Sequence, residues 1–111
     1  MKTVVAIRHD GMGLGDAELG DRILRTFLSK IGTGLAGLDT IVCYNGGVRL
    51  LAEGSSCLQA LAALEQRGID VIACGTCVDH FDLRGQLRVG EIGSMDLIIA
   101  ALAAADKVIS P

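Results

Sequence analysis

The sequence has very few proline and aromatic residues and no long apolar run. Its single proline is the last residue, and its aromatic residues are Phe27, Tyr44 and Phe81. Proteins that bind single-stranded nucleic acid stack the bases on aromatic rings, so this composition disfavours such a partner. The longest apolar run, Leu97 to Ala105, is far shorter than the roughly 20 residues that cross a bilayer. We therefore expect no membrane partner.

Positive charge is also scarce. Ten Lys and Arg residues against 13 Asp and Glu residues give a net charge of −3, so no basic field attracts a phosphate backbone. The apolar stretch Thr3–Ile7 is too short for the core of a signal peptide. We therefore expect a cytoplasmic protein with no nucleic-acid partner. In that compartment the four cysteines, Cys43, Cys57, Cys74 and Cys77, are expected to be reduced.

What the sequence does have is a regular alternation of apolar runs and helical patterns. A chain of 111 residues with 50% apolar residues suits a single domain, residues 1–111, with a core of its own. We predict strands at Thr3–Ile7, Leu38–Tyr44, Asp70–Cys74, Leu87–Ile92 and Lys107–Ile109. Continuous apolar strands separated by helices predict an α/β fold with a mostly parallel sheet of about five strands.

The predicted helices have recognisable start signals. Asp16 is a predicted N-cap, and Leu19, Ile23, Phe27 and Ile31 then recur every four residues on one face, which Leu24 and Leu28 widen. Gly32 and Gly34 are predicted to end the helix. Ser56-Cys57-Leu58-Gln59 has the form of a capping box. Ser94 is predicted to cap the last helix. The stretch Val48–Ser55 is predicted as a short helix or loop, and Val78–Leu83 as a helical turn.

Ligands of parallel sheets bind beyond the carboxyl ends of the strands, and the least ordinary stretches of this sequence fall there. Gly11-Met12-Gly13-Leu14-Gly15 follows the first strand, but it lacks the third glycine of a dinucleotide fingerprint, and no Walker sequence occurs. The stretch is either a flexible turn or a loop whose backbone amides line a pocket for a small anion. Asn45-Gly46-Gly47, a predicted tight turn, follows the second strand.

Cys74-Gly75-Thr76-Cys77 follows the third strand and permits several interpretations. A thioredoxin-type redox pair normally lies beside a cis-proline, which this chain lacks. A zinc site would need a second ligand pair besides Cys74, Cys77 and His80. Both cysteines could also be packing residues. A fourth interpretation is a sulfur-relay thiol that carries a persulfide. No neighbouring charge guarantees a reactive thiolate, since Asp79 and Asp82 offset His80 and Arg84.

Several stretches taken together resemble the DsrE-like family, and most closely the DsrE-like domain of YedF-type selenium metabolism proteins. They cover nearly the whole chain: Asp10–Gly20, Tyr44–Val48, Glu53–Ser55, Cys74–Cys77, Val89–Ile92 and Ala105–Ile109. The resemblance implies a three-layer α/β/α sandwich, a tendency to form homo-oligomers, and a role in sulfur trafficking. By position, Cys74 is similar to the relay cysteine of TusD-type subunits, and Cys77 is the additional cysteine of the YedF-type motif.

The chain also departs from these proteins. The TusA-like domain that usually precedes the DsrE-like domain is absent from this sequence, and Val78–Leu83 differs from the usual continuation. His80 is therefore a local feature. We expect a TusA-like protein among the partners.

We therefore predict a sulfur or selenium carrier, similar to a sulfurtransferase, that accepts a sulfane sulfur as a cysteine persulfide and passes it to a partner protein. The expected catalytic residues are Cys74 and Cys77, with no cofactor and no metal. The expected pocket or anion-binding residues are Gly11, Met12, Gly13, Gly15, Asn45, Gly46, Gly47, Gly75, Thr76 and His80. Two alternatives stay open: a non-enzymatic partner- or anion-binding module with structural cysteines, and a thiol-disulfide oxidoreductase.

Overall fold

Five parallel strands form one sheet at the centre of the protein. The computed structural model describes all residues from Met1 to Pro111. The strands are β1 (Thr3–Ile7), β2 (Leu38–Cys43), β3 (Asp70–Cys74), β4 (Glu91–Gly93) and β5 (Lys107–Ile109), in the spatial order β4-β3-β2-β1-β5. Every pairing is parallel. The predicted parallel sheet is confirmed.

Helices cover both faces of this sheet. The chain forms α1 (Ala17–Gly34), α2 (Leu58–Gln66), α3 (Gly75–His80) and α4 (Met95–Ala104), and a 3₁₀ helix spans Asn45–Leu51. The strands β1 to β4 follow one another in one direction across the sheet, and the chain then returns to the opposite edge for β5. Because such crossovers are right-handed, α1, α2 and α3 lie on one face of the sheet and α4 lies on the other. The result is the expected three-layer α/β/α sandwich.

The strands divide their side chains between two cores. Alternate residues such as Val5, Ile41 and Val71 pack against α1, α2, α3 and the 3₁₀ helix in a cluster of 18 buried residues. The residues between them, such as Val4 and Val42, pack with Ile98 of α4 in a cluster of six. This alternation follows from the two-residue period of a strand.

The face covered by α4 is the less protected one. Ile98 is the one buried residue of α4, whereas the helix is apolar on most of its surface. Large apolar side chains therefore remain exposed on and around it: Ile92, Met95, Leu97, Ile99 and Val108. No helix of the structure has both the length and the apolar character needed to cross a membrane.

Helix α1 begins as predicted and packs through part of the predicted apolar stripe. The Asp16 carboxylate accepts a hydrogen bond from the backbone N–H of Leu19 at 2.7 Å, which is the geometry of an N-cap. The buried residues are Gly20, Leu24, Leu28 and Ile31, whereas Leu19 and Ile23 are exposed. The four-residue spacing drifts around a helix with 3.6 residues per turn, so Leu19 and Ile23 fall outside the packing face, which follows the predicted Leu24, Leu28 and Ile31.

The capping box at Ser56 was predicted wrongly. The Ser56 hydroxyl donates a hydrogen bond to the Asp21 carboxylate of α1 at 2.8 Å, and Cys57 occupies the N-cap position of α2. A tertiary hydrogen bond to a charged acceptor thus replaces the local cap.

Two further boundaries differ from the prediction. Helix α3 begins at Gly75, so it contains Cys77, and β4 is limited to Glu91–Gly93. Gly90 has a φ of +86°, a conformation that interrupts an extended strand, and Leu87 instead forms an isolated antiparallel bridge with Ala52.

Candidate functional site

The carboxyl ends of β2 and β3 bring two segments into contact. The 3₁₀ helix starts immediately after β2 and Tyr44, and α3 starts immediately after β3. Because the two strands are parallel neighbours, both segments leave the sheet at the same edge and pack against each other.

Two glycines allow the 3₁₀ helix to lie against the end of β1. A Cβ atom on Gly47 would collide with the carbonyl oxygen of Ile7, and one on Gly46 would meet the backbone nitrogen of Asp10 at 3.4 Å. Both glycines are buried. They therefore serve close backbone packing, and the sequence-predicted tight turn is in fact the first turn of a 3₁₀ helix. Its first residue, Asn45, has a φ of +50°.

The Cys77 sulfur is the centre of the candidate site. The backbone N–H of Asn45 donates a hydrogen bond to Cys77 Sγ at 3.1 Å. Cys77 is partly exposed and opens on a cavity of about 280 Å³, which is lined by Asn45, Thr76, Cys77, His80 and Phe81. A thiol in this position can be reached from solvent and has a fixed N–H donor for negative charge on sulfur.

Cys74 differs from Cys77 in its surroundings. Its side chain is only 3% exposed and packs in the six-residue core cluster beneath α4. Cys74 is also the N-cap residue of α3, so the two cysteines lie at the first turn of the same helix. The neighbouring Cys74 contributes to raising the pKa of Cys77. The structure therefore presents one accessible thiol with a second, protected thiol behind it.

The environment of Cys77 favours the protonated thiol at rest. Partial burial raises the pKa of Cys77, the Asn45 N–H lowers it, and the neighbouring Cys74 raises it again. The net effect is a pKa above the ordinary value of 9.0. Cys77 is consequently mostly protonated at neutral pH, and it reacts through a small thiolate fraction or after its proton has been removed.

Phe81 forms one wall of the Cys77 cavity and is held from two sides. The Arg49 guanidinium carbon lies 4.1 Å from the centre of the Phe81 ring, within the range of a cation–π contact. The His80 ring meets the Phe81 ring edge-on, with centroids 5.0 Å apart. Arg49 also forms an ion pair with Asp10, Nη1 to Oδ2, at 3.6 Å. The loop after β1 is thereby connected to the cavity wall.

The glycine-rich loop after β1 forms a separate small cavity. Gly11, Gly13 and Gly15 line about 160 Å³ together with the carboxylate-bearing Asp10 and Asp16. The Met12 side chain is not part of this lining and packs against the larger core, while the Met12 backbone N–H donates to the Gly20 carbonyl at 3.0 Å.

The other two cysteines are core residues. Cys43 is completely buried in β2, and burial raises its pKa to about 12. Cys57 is also buried, and its pKa is raised chiefly for the same reason. All four cysteines are free thiols, and no group of three or more His, Cys, Asp or Glu residues is placed to hold a metal ion.

The structure thus gathers some of the sequence-predicted site residues and separates others. Asn45, Thr76, Cys77 and His80 share one cavity. Gly75 belongs to the first turn of α3 and lies against Ile92 of β4. Sequence reasoning missed Arg49 and Phe81. The one available signal was that Phe81 is among three aromatic residues of the chain; nothing in the sequence marked Arg49.

Two solved structures with the same architecture match this chain over nearly the full length of both proteins. The ychN protein from E. coli is 18% identical over 100% of both chains, with a TM-score of 0.70. MTH1491 from Methanobacterium thermoautotrophicum, described as a protein of unknown function, is 19% identical over 99% of this chain and 98% of that chain, with a TM-score of 0.73.

A third structure is similar over most of its length. BT1422 from Bacteroides thetaiotaomicron, also of unknown function, is 15% identical over 99% of this chain and 95% of that chain, with a TM-score of 0.65. No family model and no curated protein matches the sequence. At these identities the likeness shows the fold, which is DsrE-like.

Proposed function

We propose that this protein is a sulfur carrier in which Cys77 accepts a sulfane sulfur as a persulfide and Cys74 is the second thiol of the pair. The observation that carries the proposal is the geometry of Cys77: an accessible sulfur that opens on a cavity and accepts the Asn45 N–H at 3.1 Å. The DsrE-like fold is consistent with this chemistry, and the YedF-type resemblance of the sequence adds selenium as an alternative cargo.

The first step is transfer of sulfur from a donor persulfide, R–S–SH. The Cys77 thiolate attacks the outer sulfur, the donor S–S bond breaks, Cys77–S–SH forms, and R–S⁻ leaves. No net oxidation occurs, because the sulfane sulfur is only transferred from the donor thiol to the Cys77 thiol. The fixed Asn45 N–H stabilises negative charge on the Cys77 sulfur during attack.

The carried sulfur can leave in two ways. In relay, an acceptor thiolate attacks the outer sulfur and regenerates the Cys77 thiolate. In reductive release, Cys74 attacks the Cys77 sulfur, so that a Cys74–Cys77 disulfide forms and the outer sulfur leaves as HS⁻. The second route oxidises the two cysteines by two electrons and reduces the sulfane sulfur, and an external thiol must then reduce the disulfide.

The same proposal includes partner proteins. A donor and an acceptor protein, among them a TusA-like protein, would have to approach the strand ends where the Cys77 cavity opens. We also propose self-association into a homo-oligomer in the cytoplasm. In support of it, the exposed apolar side chains of Met95, Leu97 and Ile99 on α4 would be removed from water by a second copy.

The experiment that tests the proposal is intact-protein mass spectrometry after incubation with a sulfane-sulfur donor, with and without reductant. We expect wild type and Cys57→Ala to gain one reducible sulfur and Cys77→Ser to gain none. An unchanged gain in Cys77→Ser would overturn the assignment. Reduction of insulin by the protein would instead favour the thiol-disulfide oxidoreductase.

A further inference from the structure

A second cavity adjoins the one that contains Cys77, and Phe81 belongs to the lining of both. The second cavity has a volume of about 590 Å³, and Arg49 is the one cation in its lining. Cavities of a few hundred Å³ are the size that accepts small organic molecules. Phe81 is thus the side chain that the cavity beside Arg49 and the cavity of Cys77 have in common.

The guanidinium of Arg49 is held in place without using its hydrogen-bond donors. It lies on the Phe81 ring and faces Asp10 at 3.6 Å, but it donates no hydrogen bond to any group of the chain. A guanidinium has five N–H donors in a rigid fork, a geometry that matches a carboxylate. By contrast, Arg84 and Arg88 donate to Asp79 and Glu53 over distances of 2.7 to 3.0 Å.

The acidic residues around the second cavity are engaged with other groups. Glu53 accepts from Arg88, and Asp21 accepts from the Ser56 hydroxyl. Asp10 faces His9 Nδ1 at 3.3 Å as well as Arg49. Arg49, the one cation of this cavity, keeps its N–H donors free of hydrogen bonds within the chain although it faces Asp10, and the ligand that suits a guanidinium is an anion with a planar pair of oxygens.

On this basis, and resting on the proposed sulfur-carrier function, we propose that Arg49 binds the carboxylate of a low-molecular-weight sulfur donor whose persulfide is presented to Cys77. The donor is thus a carboxylate-bearing thiol persulfide. Sulfur transfer then follows the balanced step above: Cys77–S⁻ and R–S–SH give Cys77–S–SH and R–S⁻, with the carboxylate of R on Arg49. Arg49 is in this sense a specificity residue.

Two donors of similar size separate carboxylate recognition from sulfur transfer itself. The persulfide of 3-mercaptopropionate carries a carboxylate, and the persulfide of 2-mercaptoethanol carries a hydroxyl. The measurement is the rate at which each loads Cys77, followed by mass spectrometry, in wild type, Arg49→Met and Arg49→Lys. Arg22→Met is the matched control, because Arg22 is exposed, has no ion pair and lines neither cavity.

We expect wild type and Arg22→Met to prefer the carboxylate donor by about tenfold or more, the size of one charge-assisted pair. Arg49→Met should lose that preference while its rate with the hydroxyl donor stays within about twofold, and Arg49→Lys should retain part of it. Equal loading by both donors in wild type, or a preference that survives in Arg49→Met, overturns the inference and leaves the carrier function intact. Absence of loading by either donor overturns both.

Discussion

The backbone N–H of Asn45 donates a hydrogen bond to the sulfur of Cys77 at 3.1 Å and joins the end of β2 to the first turn of α3. The contact exists because Asn45 adopts a φ of +50° at the start of the 3₁₀ helix. Asparagine tolerates this left-handed conformation better than most residues do. The hydrogen bond thus depends on the placement of the Asn45 backbone.

Cysteine accessibility gives the first prediction. We expect iodoacetamide to modify Cys77 in the native protein and to leave Cys43, Cys57 and Cys74 unmodified, because those three side chains are at most 3% exposed. In denaturant all four should react. Peptide mass spectrometry measures the modified sites. Labelling of Cys74 at the rate of Cys77 in the native protein would contradict this arrangement.

Cys74 affects the ionisation of Cys77. The neighbouring Cys74 raises the pKa of Cys77, so Cys74→Ala should lower that pKa. The pH–rate profile for alkylation of Cys77 should therefore shift to lower pH in Cys74→Ala, with faster reaction at neutral pH. Cys57→Ala serves as the control and should keep the wild-type profile. A profile that shifts to higher pH in Cys74→Ala would show that Cys74 stabilises the thiolate.

Stability at alkaline pH depends on Cys43. Burial raises its pKa from 9.0 to about 12, so below pH 9 the thiol is protonated in both the folded and the unfolded state. Above that pH the unfolded state releases the proton first, and the free energy of unfolding falls by about 1.4 kcal/mol per pH unit for this site.

Urea denaturation between pH 8 and about pH 11 measures this loss. In Cys43→Ala the decline of the free energy of unfolding with pH should be shallower than in wild type. The comparison concerns the slopes, because the substitution also changes the packing at every pH. Equal slopes would mean that Cys43 does not contribute to the alkaline loss of stability.

Gly47 supports the position of Asn45. In Gly47→Ala the new methyl group collides with the carbonyl oxygen of Ile7, so we expect a loss of at least about 2 kcal/mol in the free energy of unfolding. Gly34→Ala is the matched control: its Cβ meets nothing within 4 Å, and we expect a change of less than about 1 kcal/mol. Denaturant titration checks both; equal stabilities of the two variants would refute the close approach at Gly47.

Self-association through α4 can be tested by placing a charge on its exposed apolar face. Ile99 is 56% exposed, and Ile99→Lys should lower the mass measured by light scattering towards that of a single chain. Thr26→Lys, an exposed site on α1, should leave the mass unchanged. A wild-type protein that is a single chain at all accessible concentrations would remove the proposed homo-oligomer.

Much of the fold could be predicted because it rests on local patterns. The five apolar runs and the caps at Asp16 and Ser94 were sufficient for the sheet and for two helix starts. Non-local contacts decided the failures. Ser56 bonds to Asp21 of α1 instead of capping α2, and the packing face of α1 is set by the sheet that it covers.

The candidate site was only partly accessible to sequence reasoning. The Cys74–Cys77 spacing marked the location, but the spacing could not show which thiol is exposed, since that depends on α4 covering Cys74. Arg49 was invisible because its importance comes from a ring 32 residues away, at Phe81. Such contacts depend on the relative placement of the 3₁₀ helix and α3, which no local pattern encodes.

The most direct test of the account is to locate the carried sulfur in wild-type protein. After brief loading with a sulfane-sulfur donor, the thiols and persulfides are blocked with an alkylating agent and the peptides are sequenced by mass spectrometry. We predict the additional sulfur on Cys77, with none on Cys43 or Cys57. Additional sulfur on Cys74 alone, or on no cysteine, would contradict the claim that Cys77 is the carrier.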